Sequence, residues 1–335
     1  MKITEYKYNP ATYASPSGGK TDVVKGKSDA AADGAFGAPL CAALGFFDGV
    51  HIGHRALIAD TVSRARELGL RAAVITFPAE AGGLKVGAAR IYSTEEKLRI
   101  FRELSVDEVV LCDFSSVSGL SPLRFVSDVL VGDLGVRVAF AGEDFRFGHR
   151  AAGDSAELKR LMTDAGGDAV IHGMERVLLP EGETTASATL IREYLSLGKP
   201  RRAASLLGAP YKVSGRVERG DGRGHTLGYP TVNTELRPDV PLARGVYRTE
   251  VKIDGKSYTG LTNVGVCPTF GARILHAETY ILGFSGDVYG KECEIFFLDY
   301  VRGERSFSSE EELRLEIDKN IKEISADTFG GMEDL

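Results

Sequence analysis

Near Tyr211 the apolar residues of this chain change their spacing, and no single layer architecture accommodates both patterns. Upstream, apolar runs at Leu40–Phe47, Arg71–Phe77, Glu108–Cys112, Val136–Ala141 and Asp168–His172 alternate with helical stretches at His54–Leu68, Thr94–Leu104, Ser121–Val131 and Ser155–Thr163. In the first helix Leu57, Ile58, Val62, Ala65 and Leu68 fall on one face at ~100° per residue. Short apolar runs between helices predict βαβ units, hence a doubly wound parallel sheet covered on both faces. Downstream the runs are Lys212–Val217, Gly245–Ile253, Ser257–Val266, His276–Leu282 and Glu292–Leu298, with turns such as Asp254-Gly255 and Ser285-Gly286-Asp287 between them. That grammar predicts a small antiparallel barrel. A last helix is expected from Ser308, where Ser308 and Glu311 make a capping-box pattern and Leu313, Ile317, Ile321 and Ile324 form an apolar stripe to lay on the barrel. There is no internal repeat, so the 335 residues are expected to form two different domains, 1–208 and 209–335, joined near Leu206–Pro210.

Composition narrows the function classes. A chain 43% hydrophobic and 26% charged can bury an ordinary globular core. Its 41 basic and 47 acidic residues are interspersed, so no basic tract predicts a nucleic-acid groove. Cys41, Cys112, Cys267 and Cys293 lack zinc-type spacing and predict neither a disulfide framework nor a zinc site. The start MKITEYKYNP has charges and a proline where an export signal needs an apolar core, and no run approaches ~18 apolar residues. A soluble, cytoplasmic protein without a membrane partner is expected. Residues Ser15–Pro39, rich in Gly, Ala, Ser and Asp, read as a loop of undefined role.

The first chemistry-bearing segment is Gly45-Phe46-Phe47-Asp48-Gly49-Val50-His51-Ile52-Gly53-His54, where a buried strand passes into a helix. A helix N-terminus offers unpaired N–H groups and a positive dipole end, and glycines admit a phosphate to the backbone. His51 and His54 can donate to phosphate oxygens as charge builds on them. A bare HxGH is also met as two incidental surface histidines; the strand–turn–helix setting favours the phosphate reading.

From GFFDGVHIGHRALI through STEEKL, FVSDVL and AGEDFRFGHRAAGD to ASATLIREYLSLGKPRRAASLLGAPY, the chain resembles the HxGH nucleotidyltransferases. More narrowly, it resembles the FAD synthetase half of the bacterial bifunctional riboflavin kinase/FAD synthetase family. The resemblance implies a Rossmann-like domain in which Gly45, Phe47, His51, Gly53, His54, Asp144, Ser187, Thr189 and Arg192 bind ATP and Phe145 lies by the flavin. His51 and His54 would act on the reacting phosphates. Arg192 has its own rationale, because a guanidinium can clamp departing pyrophosphate bidentately. Two positions depart from the family: Pro78-Ala79-Glu80-Ala81 carries no histidine where a PHP triplet is usual, and Ala188 replaces the second serine of SSTxIR.

The second segment runs from Gly215-Arg216-Val217 through Gly220-Asp221-Gly222-Arg223-Gly224-His225-Thr226-Leu227-Gly228-Tyr229 to Pro230-Thr231-Val232-Asn233. A glycine series of this kind is most often a plain surface loop, though its N–H groups can face phosphates. Thr231 and Asn233, two residues apart, place a hydroxyl and an amide oxygen where one hard cation could take both. The run resembles the riboflavin kinase signature GxVxxGxxxGRxLGxPTAN, with His225 for arginine and Val232 for alanine. Further matches are Gly245-Val246-Tyr247, Thr262-Asn263-Val264-Gly265, Ala277-Glu278-Thr279-Tyr280-Ile281, Arg302 and Phe307.

That likeness implies a six-stranded antiparallel barrel with a closing helix. Gly220, Gly224, Thr231 and Asn233 would bind ATP, and Thr231 and Asn233 would also hold Mg²⁺. Glu278 would be the base on the riboflavin 5′-hydroxyl, and Arg302 would lie by the flavin. Most strand glutamates are merely solvated, but a neutral alcohol attacking a γ-phosphate benefits from a placed carboxylate. The expected substrates are therefore riboflavin, FMN and ATP. Two rivals stay open: a riboflavin kinase with a weakened first domain, and a flavin-binding regulator without turnover.

Overall fold

A parallel strand buried on both faces needs an apolar side chain at every position, and Leu40–Leu44 (LCAAL) supplies one at each, all five buried. The computed structural model describes residues 1–13, 38–80, 89–180, 182–218, 229, 231–269, 272–284 and 286–326. By packing, the chain divides into two compact units, Met1–Ala88 with Tyr92–Arg176 and Ala89–Ile91 with Val177–Leu335.

In the first unit, β1 (Lys2–Tyr6), β2 (Leu40–Leu44), β3 (Arg71–Thr76), β4 (Glu108–Cys112), β5 (Val136–Gly142) and β6 (Asp168–His172) form one sheet in the order β1-β4-β3-β2-β5-β6. Every pairing is parallel. Helix α1 (Ile52–Leu68) crosses from β2 to β3 and stops at Gly69, whose φ of 66° provides the left-handed cap. Helix α2 (Thr94–Glu103) opens on a capping box, Ser93 with Glu96. The strand order reverses at β2, with β3 on one side and β5 on the other, so the crevice beyond its carboxyl end is where an open α/β sheet takes ligands.

Two features of this unit differ from the sequence expectation. Strand β1 was not anticipated, because as an edge strand it is mostly exposed and carries no apolar run. The stretch expected as a helix over Ser121–Val131 is α-helical only at Pro122–Arg124 and continues as a π-helix, Phe125–Asp133, in which Leu134 N–H reaches back five residues to the Val129 carbonyl. Tyr13 lies against this stretch, its hydroxyl within hydrogen-bond distance of both the Asp128 carbonyl, at 2.7 Å, and the Asp133 carboxylate, at 2.6 Å, with one proton to give to either.

In the second unit, β9 (Tyr211–Arg216), β10 (Thr231–Glu235), β11 (Gly245–Ile253), β12 (Lys256–Thr269), β13 (Ala272–Ile281) and β14 (Glu292–Arg302) form an antiparallel sheet in the order β10-β13-β12-β11-β14-β9. Its edges meet at a bridge between Glu218 and Asn233. One face packs Tyr211, Tyr247 and Phe297, all fully buried, beside a hydroxyl chain Thr249–Thr262–Thr279 with links of 2.7 and 2.9 Å. The closing helix Glu310–Ala326 covers the other face, setting Ile324 against Val246 and Leu261 with Ile317 and Ile321 beside them. Its cap lies one residue later than expected: Ser309, whose hydroxyl accepts from Glu312 N–H at 3.2 Å, while Ser308 binds the Glu312 carboxylate. A short hairpin of β7 (Arg176–Leu179) with β8 (Gly182–Thr185) was also not foreseen. Cys41, Cys112 and Cys293 are buried free thiols.

The helices Ala188–Ser196 and Pro200–Leu207 pack on each other, and the second lies against β9 and β14 with Ala203, Leu206 and Leu207 buried. Ala203, Leu206 and Leu207 therefore share the core of the second unit, to which residues 177–208 belong by packing, whereas the domain division expected from sequence falls at 208/209. A fragment 177–335 is expected to melt cooperatively and well above a fragment 209–335, which strips Leu206 and Leu207 from the sheet at about 1.5–3 kcal/mol each. Equal melting temperatures would show that the two helices contribute nothing to that core.

Candidate active sites

The turn after β2 is held in an unusual backbone. Phe47 (φ 53°), Gly49 (φ 76°) and Val50 (φ 40°) are all left-handed, and a β-branched residue there is strained. Burial maintains it, since Phe47 and Val50 are almost wholly enclosed. Gly45 is closely enclosed: a Cβ would stand 3.0 Å from the Phe47 ring, which would have to shift to admit it. The Phe47 ring packs edge-on against His54 and Phe101, at 5.1 and 6.0 Å, so its side chain belongs to the core and leaves only its backbone to serve a nucleotide. Gly53 is less constrained, with the nearest neighbours of a Cβ, in Glu175 and His51, at 3.4 Å or more.

His51, the N-cap position of α1, and His54 stack with ring centroids 3.6 Å apart. Burial pushes His51 down to about 4, against a smaller opposing pull from Asp144. Burial, aided by His51 and the Lys97 ammonium, holds His54 well below the usual imidazole range. Both rings are thus neutral at pH 7, and the Nδ1 of each is buried without a hydrogen-bond partner. A neutral imidazole has one N–H to give, which suits donation to a phosphate oxygen.

The depressed values make stability depend on pH. His51 takes its proton near 4 in the fold and near 6.5 in the unfolded chain. The unfolded state therefore binds more protons between those values. Stability contributed by neutral His51 is complete above about pH 6.5 and is lost as pH falls toward 4. Melting of the wild type at pH 7, 5.5 and 4.5 should fall more steeply than that of His51→Gln, by on the order of 3 kcal/mol at most. Parallel curves would contradict a buried neutral imidazole.

Beside this turn lies a cavity of about 540 Å³ at the carboxyl ends of β2 to β5. Leu44, Gly45, Phe77, Phe114, Phe145 and Phe147 are among its walls, an aromatic lining suited to a flat ring system. Phe145 and Phe147 stack at 5.6 Å, and Asp144 stands exposed at the same strand end. Ser187, Ala188, Thr189 and Arg192 belong to the second unit. There Ser187 caps its helix by accepting from Leu190 N–H at 3.3 Å, with Ala188 and Thr189 as the first helical residues.

The second site is set by sheet register. Arg302, Val246, Asn263, Glu278 and Asn233 form one cross-strand row over β14, β11, β12, β13 and β10. Leu261, Tyr280 and Thr231 form the row two residues along, on the same face. Between this face and the closing helix is a cavity of about 370 Å³, lined by Thr231, Asn263, Glu278 and Arg302 and, from the helix side, by Leu313 and Asn320.

Thr231 Oγ1 donates to Glu278 Oε1 at 2.8 Å. Arg302 Nε donates to Asn320 Oδ1 at 3.0 Å and lies 3.3 Å from the Glu316 carboxylate, its guanidinium over the Phe307 ring. Asn233 is the register partner of Glu278 but does not line the cavity. Tyr229, Asn320 and Glu316 were not singled out from sequence; two lie on a helix whose stripe signals packing, and polar positions between stripe residues give no further signal. Gly220 and Gly224 lie outside the described residues, as do residues 15–37 of the Ser15–Pro39 loop. Among the described residues no helix is long and apolar enough to cross a membrane.

Comparison with known proteins matches both halves. A family profile described as FAD synthetase matches residues 36–178, and one described as riboflavin kinase matches residues 207–327. The bifunctional riboflavin kinase/FMN adenylyltransferase of Escherichia coli (strain K12) is 34% identical over 294 residues, 86% of this chain and 92% of that protein. The like-named protein of Bacillus subtilis (strain 168) is 34% identical over 290 residues, 84% of this chain and 90% of its own. A Streptococcus pneumoniae crystal structure titled as a macrolide-efflux protein superposes with a TM-score of 0.72 at 28% identity, covering 89% of this chain and 95% of that one. With both profiles matched in order and such relatives aligned over nearly their whole length, this chain belongs to the bifunctional riboflavin kinase/FMN adenylyltransferase family.

Proposed function

We propose that the chain phosphorylates riboflavin at the Glu278 cavity and adenylylates the resulting FMN at the His51–His54 turn, with functional domains 1–208 and 209–335 in the cytoplasm. The observation that supports this is that each motif has its own cavity: Glu278 and Thr231 wall one, and the HxGH turn adjoins the other through Gly45.

In the kinase reaction the riboflavin 5′-oxygen bonds to the γ-phosphorus of ATP while the bond to the β–γ bridging oxygen breaks and ADP leaves. Glu278 takes the hydroxyl proton, and Thr231 orients the carboxylate. Thr231 and Asn233, oxygen donors two residues apart on one face of β10, fit a Mg²⁺ ion. Bound there with ATP, the ion would neutralise phosphate charge. Arg302, which Asn320 and Glu316 hold in the cavity wall, hydrogen-bonds the flavin in this reading.

In the second reaction an FMN phosphate oxygen attacks the α-phosphorus and pyrophosphate departs; the nucleophile is already anionic, so no base is needed. His51 and His54 donate to the phosphates, Asp144, Ser187, Thr189 and Arg192 serve ATP, and Phe145 packs on the flavin. The by-products test this division. Riboflavin with Mg-ATP should release ADP, and FMN with Mg-ATP should release pyrophosphate; ADP from both would exclude adenylyl transfer.

A further inference from the structure

Lys97 on α2 is almost wholly buried, at 1% exposure, in a place where a methionine of similar volume would carry no desolvation cost. Its ammonium donates to the Phe46 carbonyl at 2.8 Å, the Phe77 carbonyl at 3.2 Å and Thr76 Oγ1 at 3.4 Å, so each N–H has a partner. Thr76 Oγ1 itself donates to the Phe46 carbonyl at 3.0 Å, and the ammonium stands 4.9 Å from the centre of the Phe46 ring. Phe46 and Phe77 are the residues at which β2 and β3 run out into their loops.

The helix that presents Lys97 is itself tied to the same place. Its capping box fixes the first turn, and Thr94 Oγ1 accepts from Ala79 N–H at 2.8 Å in the loop after β3. One buried charge therefore joins α2, the β3 end and the start of the strained turn that carries His51 and His54. A bound nucleotide's phosphates would feel that charge across the histidines, as His54 already does.

We propose that Lys97 is a positioning residue for adenylyl transfer, holding the two strand ends that set the HxGH turn and adding fixed positive charge behind it. The proposal rests on the adenylyltransferase reading of that turn. Lys97 is faced by the Asp48 and Glu80 carboxylates and by His54; burial pushes its ammonium down to about 8, with Asp48 and then Glu80 opposing. Raising the pH through that value removes the charge, while both histidines are already neutral.

The test is kcat/KM for ATP in FAD formation from FMN, which reports the free enzyme, measured from pH 6.5 to 10 on the full-length wild type, Lys97→Arg and Lys97→Met. FMN formation from riboflavin on the same samples is the control. The wild type should lose at least about 10-fold in FAD formation with a midpoint near 8, while kinase activity does not share that limb. Lys97→Arg, whose guanidinium stays charged, should keep its pH 7 value to pH 10. Lys97→Met should be low throughout and independent of pH. A flat wild-type profile, a limb shared with the kinase, or a Lys97→Arg midpoint equal to the wild type overturns the proposal. The wild-type curve requires no substitution, so it decides the matter even if a variant fails to fold. A wild type that makes no FAD at pH 7 would instead overturn the adenylyltransferase reading on which the proposal stands.

Discussion

Glu278→Gln should reduce FMN formation by about 10²–10⁴-fold, the usual contribution of a placed general base, and leave conversion of supplied FMN to FAD unchanged. Glutamine keeps the shape of the side chain and an oxygen for the Thr231 hydroxyl now held at 2.8 Å, so the cavity wall stays intact. What it cannot do is accept the proton of the riboflavin 5′-hydroxyl. The loss should therefore fall on kcat, with KM for riboflavin little altered. Steady-state rates for both reactions on one preparation check this. Equal loss of FMN and FAD formation would mean that the two reactions share a site.

His51→Ala and His54→Ala should each lower FAD formation by about 10²–10³-fold while FMN formation stays at the wild-type rate. On the proposed reaction, each would remove one N–H donor to charge that grows on the phosphates. The two are not equivalent in the fold. His54 also receives the Phe47 ring at 5.1 Å, so its removal loosens the strained turn, whereas His51 sits at the helix cap. His54→Ala should accordingly lower the melting temperature more than His51→Ala does. Full FAD yield from either variant would make the stacked pair a structural element without a part in adenylyl transfer.

Much of this arrangement was legible because it rests on local chemistry. Strand β2 is apolar at all five positions, and the HxGH turn follows it directly, so both the parallel sheet and the strand–turn–helix setting of the motif could be read, whereas the strand order that makes β2 the switch point could not. Strand β10 was not among the runs read from sequence, although in the fold Val232 and Thr234 face one way and Thr231 and Asn233 the other, because five residues with polar alternates give little strand signal.

What escaped depends on contacts distant in sequence. Strand β1 is recruited by pairing with β4 and has no apolar pattern of its own. The π-wound stretch shares its composition with an α-helix, and Tyr13 lies more than a hundred residues away from the carbonyl it binds. Nothing in PRRAASLL says that its Leu206 and Leu207 bury with the second unit. Phe47 fits a nucleotide-binding motif by position, yet its ring turns inward on His54 and Phe101. The missing family histidine falls where Ala79 is buried and Glu80 accepts from Thr94 Oγ1 at 2.6 Å, so that strand end is anchored to α2 by other means.

A single time course addresses the whole account: purified full-length chain, riboflavin and Mg-ATP, with FMN and FAD resolved chromatographically at intervals. The account predicts that riboflavin disappears into FMN and that FAD follows, with two ATP consumed per FAD, one to ADP and one to pyrophosphate. Accumulation of FMN with no FAD, even when FMN is supplied in excess, would contradict it.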